Sequence, residues 1–184
     1  ELIEGRHFGA KVSGSWAGAM GNHQFMPTTY RDYAIDFDGD GKRDLWGSNA
    51  DIFASAANYL RKVGWASKTR WGIEVSLPKK FKYELSGLST SKKVFEWMRL
   101  GINLPTANQL SDKNIDASLL LPSGYNGPAF LVYKNFRKIL IWNRSIFYAL
   151  AVGHLADRLV GGPPLTAKMD SREKKYSRTE IQII

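Results

Sequence analysis

SWAGAMGNHQFMP, residues 15–27, is followed closely by DFDGDGKRD, residues 36–44. The first stretch is rich in small residues. Its small residues are Ala17, Gly18, Ala19 and Gly21, and Pro27 with Thr28 and Thr29 suits a helix start. The second stretch matches the front half of an EF-hand loop, D-x-D-x-D-G. In that pattern alternating Asp side chains converge on one hard cation, and Gly41 permits the sharp turn at the sixth position. Asp36, Asp38 and Asp40 are the side-chain ligands, Lys42 gives its backbone carbonyl, and Asp44 falls at the ninth position.

The pattern breaks at the twelfth position, where Gly47 stands in place of a Glu. The next acid is Asp51, in the first turn of the following helix, and a longer loop brings it to the ion as the last ligand. Acids packed this closely repel one another unless a cation intervenes. Many protein-derived oxygen ligands favour calcium over magnesium, in a structural role that locks the loop beside residues 15–30. The alternative is an acidic Asp/Gly turn without metal.

Outward from these stretches, Ser48 or Asn49 caps a helix running to about Val63, where Gly64 ends it. Ile52, Phe53, Ala56, Leu60 and Val63 form its apolar face. Residues 1–14 read as the end of a helix and a loop, broken by Gly5, Gly9 and Gly14. From residue 66 the character changes. WGIEVSLP, ASLLLPSG and GPAFLVY read as strands, and STSKKVFEWMRLG as a short helix ended by Gly101. NFRKILIWN then leads to Ser145, the cap of a second long helix, with Phe147, Leu150, Ala151, Leu155 and Leu159 on one face. Gly161-Gly162-Pro163-Pro164 stops it, and the tail from Leu165 reads as a polar linker. The division is a helical core of residues 1–65 and 141–162, a small sheet-containing subdomain over 66–140, and a tail over 163–184.

The 184 residues are 43% hydrophobic and include six Trp, enough for a real core. The absence of Cys excludes a disulfide scaffold and Cys-ligated metal. The apolar runs are too short for a transmembrane segment. His7, His23 and His154 show no ligand spacing. The net charge of +9 favours anionic partners, but the basic residues are dispersed and lack a nucleic-acid-binding signature, so no nucleic-acid partner is expected.

GSWAGAMG-x-x-QFMP-x-x-Y, the DFDGDG loop, ANYL before Gly64-Trp65, and GPAFLVYKNFRKILIWNRSIFYALAVGHLADRL occur in this order. Together they resemble the lytic transglycosylase B family, glycoside hydrolase family 103, over about residues 1–164. The resemblance implies a mainly α, lysozyme-like α+β fold, with a helical core, an unusually long EF-hand-like calcium loop and a small inserted sheet-containing subdomain. It implies cleavage of the β-1,4 bond between N-acetylmuramic acid and N-acetylglucosamine in peptidoglycan, with 1,6-anhydro ends and no net use of water. One Glu of the family serves as acid and then as base.

By the same resemblance Ser15, Gln24, Met26, Tyr30 and Tyr59 line the sugar cleft, joined by Trp142, Asn143 and Tyr148. The residues alone leave other readings open: Ser15 as a helix cap, Met26 as core, Asn143 as a turn residue and Tyr148 as packing. The family's catalytic Glu lies several tens of residues before the GSWAGAMG motif, so no catalytic residue is expected in this chain. Glu1 and Glu4 match the intervening segment, and Glu74, Glu84 and Glu96 fall in the subdomain. The chain alone is then expected to be inactive. Ser177 to Ile181 weakly resembles the opening of a peptidoglycan-binding module.

The implied setting is a monomer on peptidoglycan glycan strands in the periplasm or cell envelope, with lipid anchoring an option for the full-length protein, calcium bound and no organic cofactor. The alternatives are a non-catalytic glycan-binding fragment and a calcium-stabilised binding module.

Overall fold

The computed structural model describes residues 13–105 and 113–167. The chain divides into two compact units, Glu1–Ala66 and Ser67–Ile184. Expectations for residues 1–12 and for the tail beyond 167 lie outside the described residues.

The first unit is built on α1, Pro27–Tyr33, and α2, Asn49–Lys62. Pro27 occupies the first turn of α1, where its missing N–H costs nothing. Ser48 caps α2 by accepting a hydrogen bond from Asp51 N, and Gly64 leaves the helix at φ 90°. The buried side of α2 is Asp51, Ile52, Ser55 and Tyr59. The expected face was turned by one residue: Ile52 is buried, but Phe53 is 68% exposed. Polar residues take the inner positions because the acidic loop and the end of α1 need hydrogen bonds. Ser55 Oγ accepts from Ile35 N, and Asn58 Nδ2 donates to Tyr33 O.

The second unit holds a four-stranded antiparallel sheet of order β1-β4-β3-β2. Its strands are β1, Gly72–Val75; β2, Lys92–Lys93; β3, Asp116–Leu120; and β4, Ala129–Val132. Gly72 pairs with Val132 and Val75 with Ala129, while Leu119 pairs with Leu131. Every residue of β4 is buried, as its unbroken apolar run requires of a strand covered on both faces.

On one face Ile73, Val75, Leu119 and Leu131 pack with Phe81, Trp97 and Ile102. Trp97 comes from α3, Val94–Arg99, and its indole N–H donates to Ala117 O at 2.9 Å. Glu96 closes the start of α3 by accepting from Lys93 N. Trp71 meets Phe130 and Phe136 at 6.2 and 6.3 Å between ring centroids.

Two further helices complete the unit: α4, Lys134–Trp142, and α5, Ile146–Leu159. The stretch leading to Ser145 is thus itself a helix, and it meets α5 at a bend of 117°. Ser145 caps α5 as expected, accepting from Tyr148 N. The buried face of α5 differs from expectation. Ala149, Leu150 and Gly153 are inside, while Phe147, Leu155 and Leu159 are 62%, 59% and 79% exposed. The helix is apolar nearly all round, so its own pattern does not choose a face; the Trp71 ring does. A Cβ on Gly153 would lie 2.4 Å from Trp71 Cδ2. No single helix among the described residues is long and apolar enough to cross a membrane.

Candidate functional site

Residues 14–25 fold into a tight double turn. Gly14 bridges Met20, and Met20 exchanges two backbone hydrogen bonds with Phe25 at 2.8 and 2.9 Å. Ser15 sits at its rim: its hydroxyl accepts from Ala19 N at 3.1 Å and its carbonyl from Gly18 N at 3.0 Å. The serine thus closes a turn rather than capping a helix, and it remains exposed. Gly21, at φ 65°, packs so closely on Leu45 that an added Cβ would lie 2.6 Å from that residue's Cβ. Gly14 and Gly21 are therefore needed for close packing, whereas Gly18 stands in open space and serves the turn through its φ of 86°.

Gln24 is the one non-glycine among the described residues with positive φ, at 52°. Its side chain donates to Gly21 O at 2.9 Å and is exposed. A Gln held in the left-handed region costs free energy, and such outliers concentrate where a side chain must be aimed for function. Met26 is 46% exposed, whereas its neighbour Phe25 is buried. Ser15, Gln24 and Met26 therefore share one short, rigid segment with their side chains accessible. The fully exposed Trp16 at its tip was passed over in the sequence. A Trp among small residues with no helical period was the available signal.

Tyr30 and Tyr59 differ from these three. Tyr30 is fully buried, donates to Arg43 O at 2.6 Å and lies under the Arg43 guanidinium, 5.4 Å from the ring centroid. Burial pushes its pKa up to about 12. Tyr59 is buried against Tyr33 and Phe25, with centroids 4.9 and 5.6 Å apart, and burial raises its pKa as well. Tyr59 braces the segment through Phe25, and Tyr30 braces the acidic loop through Arg43.

In the acidic loop, Asp36, Asp38 and Asp51 bring carboxylate oxygens within 4.8 Å of one another. Asp51 is fully buried; one oxygen accepts from Phe37 N at 2.7 Å and the other from Asp44 N at 2.8 Å. Asp36 accepts from Gly39 N and Gly41 N, both glycines having positive φ. Asp40 stands outside the trio, accepting from Lys42 N with the Lys42 ammonium 3.7 Å away. The cluster fits a hard divalent cation. Three convergent carboxylates, one fully buried, have no cationic side chain among their recorded hydrogen-bond partners.

In the second unit, Trp142 ends α4 and Asn143 follows it, its Oδ1 accepting from Ser145 N at 2.9 Å. Asn143 therefore builds the turn into α5 while remaining exposed. Tyr148 lies one turn into α5, 39% exposed. The described Glu residues are committed elsewhere or peripheral. Glu74 accepts from Thr166 and Ala167, Glu96 from Lys93, and Glu84 lies in a short 3-10 turn.

The family model of the transglycosylase SLT domain matches residues 2–157. The chain belongs to this family. Membrane-bound lytic murein transglycosylase B of Escherichia coli K12 is 36% identical over 152 residues, 78% of this chain and 38% of that protein. SltB3 from Pseudomonas aeruginosa, solved in complex with NAG-anhNAM-pentapeptide, is 50% identical with a TM-score of 0.83, over 91% of this chain and 45% of that one. Escherichia coli Slt35 in complex with calcium is 32% identical with a TM-score of 0.63, over 80% of this chain and 46% of that one. The transglycosylase SLT chain thus spans less than half the length of these relatives. Its helices with a small antiparallel sheet are the architecture it shares with its SLT neighbours.

Proposed function

We propose that this chain is the glycan-binding part of a peptidoglycan lytic transglycosylase of family 103, working as a monomer in the periplasm. The parent reaction breaks the β-1,4 bond between N-acetylmuramic acid and N-acetylglucosamine and leaves a 1,6-anhydro end. One observation carries the reading: 50% identity to SltB3, a protein solved with an anhydro-sugar pentapeptide. In this reading Ser15 and Gln24 donate and accept hydrogen bonds with sugar hydroxyls, and Met26 packs on a ring face. In the second unit, taken by itself, Trp142 and Tyr148 offer rings for a sugar to stack on and Asn143 offers a polar group. Tyr30 and Tyr59 act through packing. The acid that protonates the leaving oxygen lies outside the described residues, because residues 13–66 contain no Glu and the described Glu residues of the second unit are peripheral or committed elsewhere.

Calcium belongs to the same reading. Asp36, Asp38 and Asp51 would hold it, with Asp40 and the Lys42 carbonyl as further ligands. The ion would neutralise the loop that Tyr30 braces. Its role is structural. The calcium complex of Slt35 supports the assignment.

The test is mass spectrometry of purified peptidoglycan incubated with the chain, reading soluble and pelleted fractions. Retention in the pellet without soluble product supports a glycan-binding part separated from its acid. Soluble muropeptides with 1,6-anhydro ends would place the acid within these 184 residues. Neither retention nor product removes the murein reading.

A further inference from the structure

The positive charge of the chain is concentrated in one unit. Residues 13–66 hold five Lys/Arg and six Asp/Glu, whereas the described residues from 67 to 167 hold fourteen and five. Few of those fourteen are paired: the ion pairs recorded there are Arg70–Asp157 and Lys93–Asp116. A basic surface of this kind raises the local concentration of anionic ligands.

Beyond the end of β1, a lysine-bearing stretch runs from Leu77, which lines a cavity, to the exposed ring of Tyr83. Phe81 is buried in the sheet core and anchors a loop on which Lys79, Lys80 and Lys82 all stand exposed. Phe81 meets Tyr83 edge-on, 5.8 Å between centroids, and Tyr83 meets Tyr125 at 5.9 Å. These two tyrosines are 40% and 68% exposed. Tyr125 also lines an open cavity of about 400 Å³ with Ser76, Leu77 and Asn103. The wall is fixed, since Ser76 and Asn103 exchange both backbone hydrogen bonds at 3.0 Å. Glu74 borders the same cavity, but its two oxygens accept from Thr166 N, Thr166 Oγ1 and Ala167 N.

We propose that this corner of the second unit binds a short carboxylate-bearing peptide, the stem carried by the N-acetylmuramic acid of the substrate. The origin of the peptide rests on the function proposed above. The three lysines complement carboxylates, and the tyrosine pair offers rigid area at low entropic cost. Ser76 and Asn103 supply donors and acceptors for amide groups. A bare neutral glycan gives the lysines nothing to complement. A membrane surface would use the lysines and leave the cavity without a role.

The experiment is calorimetric titration of the 184-residue chain with a soluble pentapeptide bearing free carboxylates, and with the same peptide amidated. Amide NMR shifts locate the response. The expected result is binding of the acid peptide, with shifts at Ser76, Asn103 and Tyr125. Amidation, or Lys79→Gln/Lys80→Gln/Lys82→Gln, should weaken binding about tenfold at low salt, and the difference should shrink at high salt. Tyr125→Ala should weaken both peptides alike.

No response to the acid peptide, or a response that ignores amidation and the lysine substitutions, overturns the proposal. So does binding to anionic lipid vesicles with no binding to the peptide. A parallel sedimentation assay with peptide-stripped glycan strands separates the two readings. Glycan binding without a peptide response removes this site and leaves the function standing. A peptide response without glycan binding supports the site and removes the murein origin of its ligand.

Discussion

Asp51, in the first turn of α2, is the first acid after the loop's twelfth position, where Gly47 stands. Its carboxylate is fully buried and joins Asp36 and Asp38 within 4.8 Å. A calcium ion there stabilises only the folded state, by about 3 kcal/mol at a concentration about a hundredfold above Kd. Calcium should therefore raise the melting temperature, and Asp51→Asn should abolish that rise while Asp40→Asn only reduces it. Identical melts with calcium and with chelator would remove the metal. The candidacy of Asp51 was legible because Gly47 stands where an acid was due. The conformation of Gln24 was not legible, since nothing local in Gln announces a φ of 52°. Nor did the motif separate Tyr30, whose hydroxyl is spent on Arg43 O, from residues that remain accessible.

At the scale of elements, starts and stops were readable and faces were not. Pro27, Ser48, Gly64, Gly101 and Ser145 mark boundaries the structure keeps, because caps and positive-φ glycines act within a turn. The helix α4 was missed because it follows β4 after a single residue, Tyr133, which makes no side-chain cap to mark the start. In α5 the packing face is the small-residue stripe of Ala149 and Gly153 against Trp71. Gly153→Ala should cost about 1–3 kcal/mol, because the new methyl must displace a ring wedged by Phe130 and Phe136. Urea melts measure this. A gain in stability, the usual result of Gly→Ala in an open helix, would show that Trp71 does not lie on α5.

For the molecule as a whole, burial sets the response to alkali. Tyr30, Tyr59 and Tyr133 are all raised above the ordinary tyrosine value by burial, Tyr30 to about 12. Among the described residues the Tyr133 hydroxyl also has no hydrogen-bond partner. A folded-state pKa above the unfolded one means that the folded protein holds these protons longer. Stability is thus intact below pH ~10 and falls as pH rises toward 12, since the unfolded chain ionises first. Tyr30 alone should contribute a slope of about 1.4 kcal/mol per pH unit in that window. Urea midpoints across it should fall, and less steeply in Tyr30→Phe; equal slopes would contradict the burial of Tyr30.

The sequence by itself determined several element boundaries, the acidic loop and the family, because these reside in short spacings and local backbone preferences. Tertiary structure alone decided which faces of α2 and α5 are buried and which motif tyrosines remain accessible. It also brought Tyr83 to Tyr125, and Glu74 to Thr166 across 92 residues. The reason is range. Caps, turns and periodicity act over one or two turns of chain, whereas burial is settled by whatever distant surface fits, and an apolar pattern states only that some partner is needed.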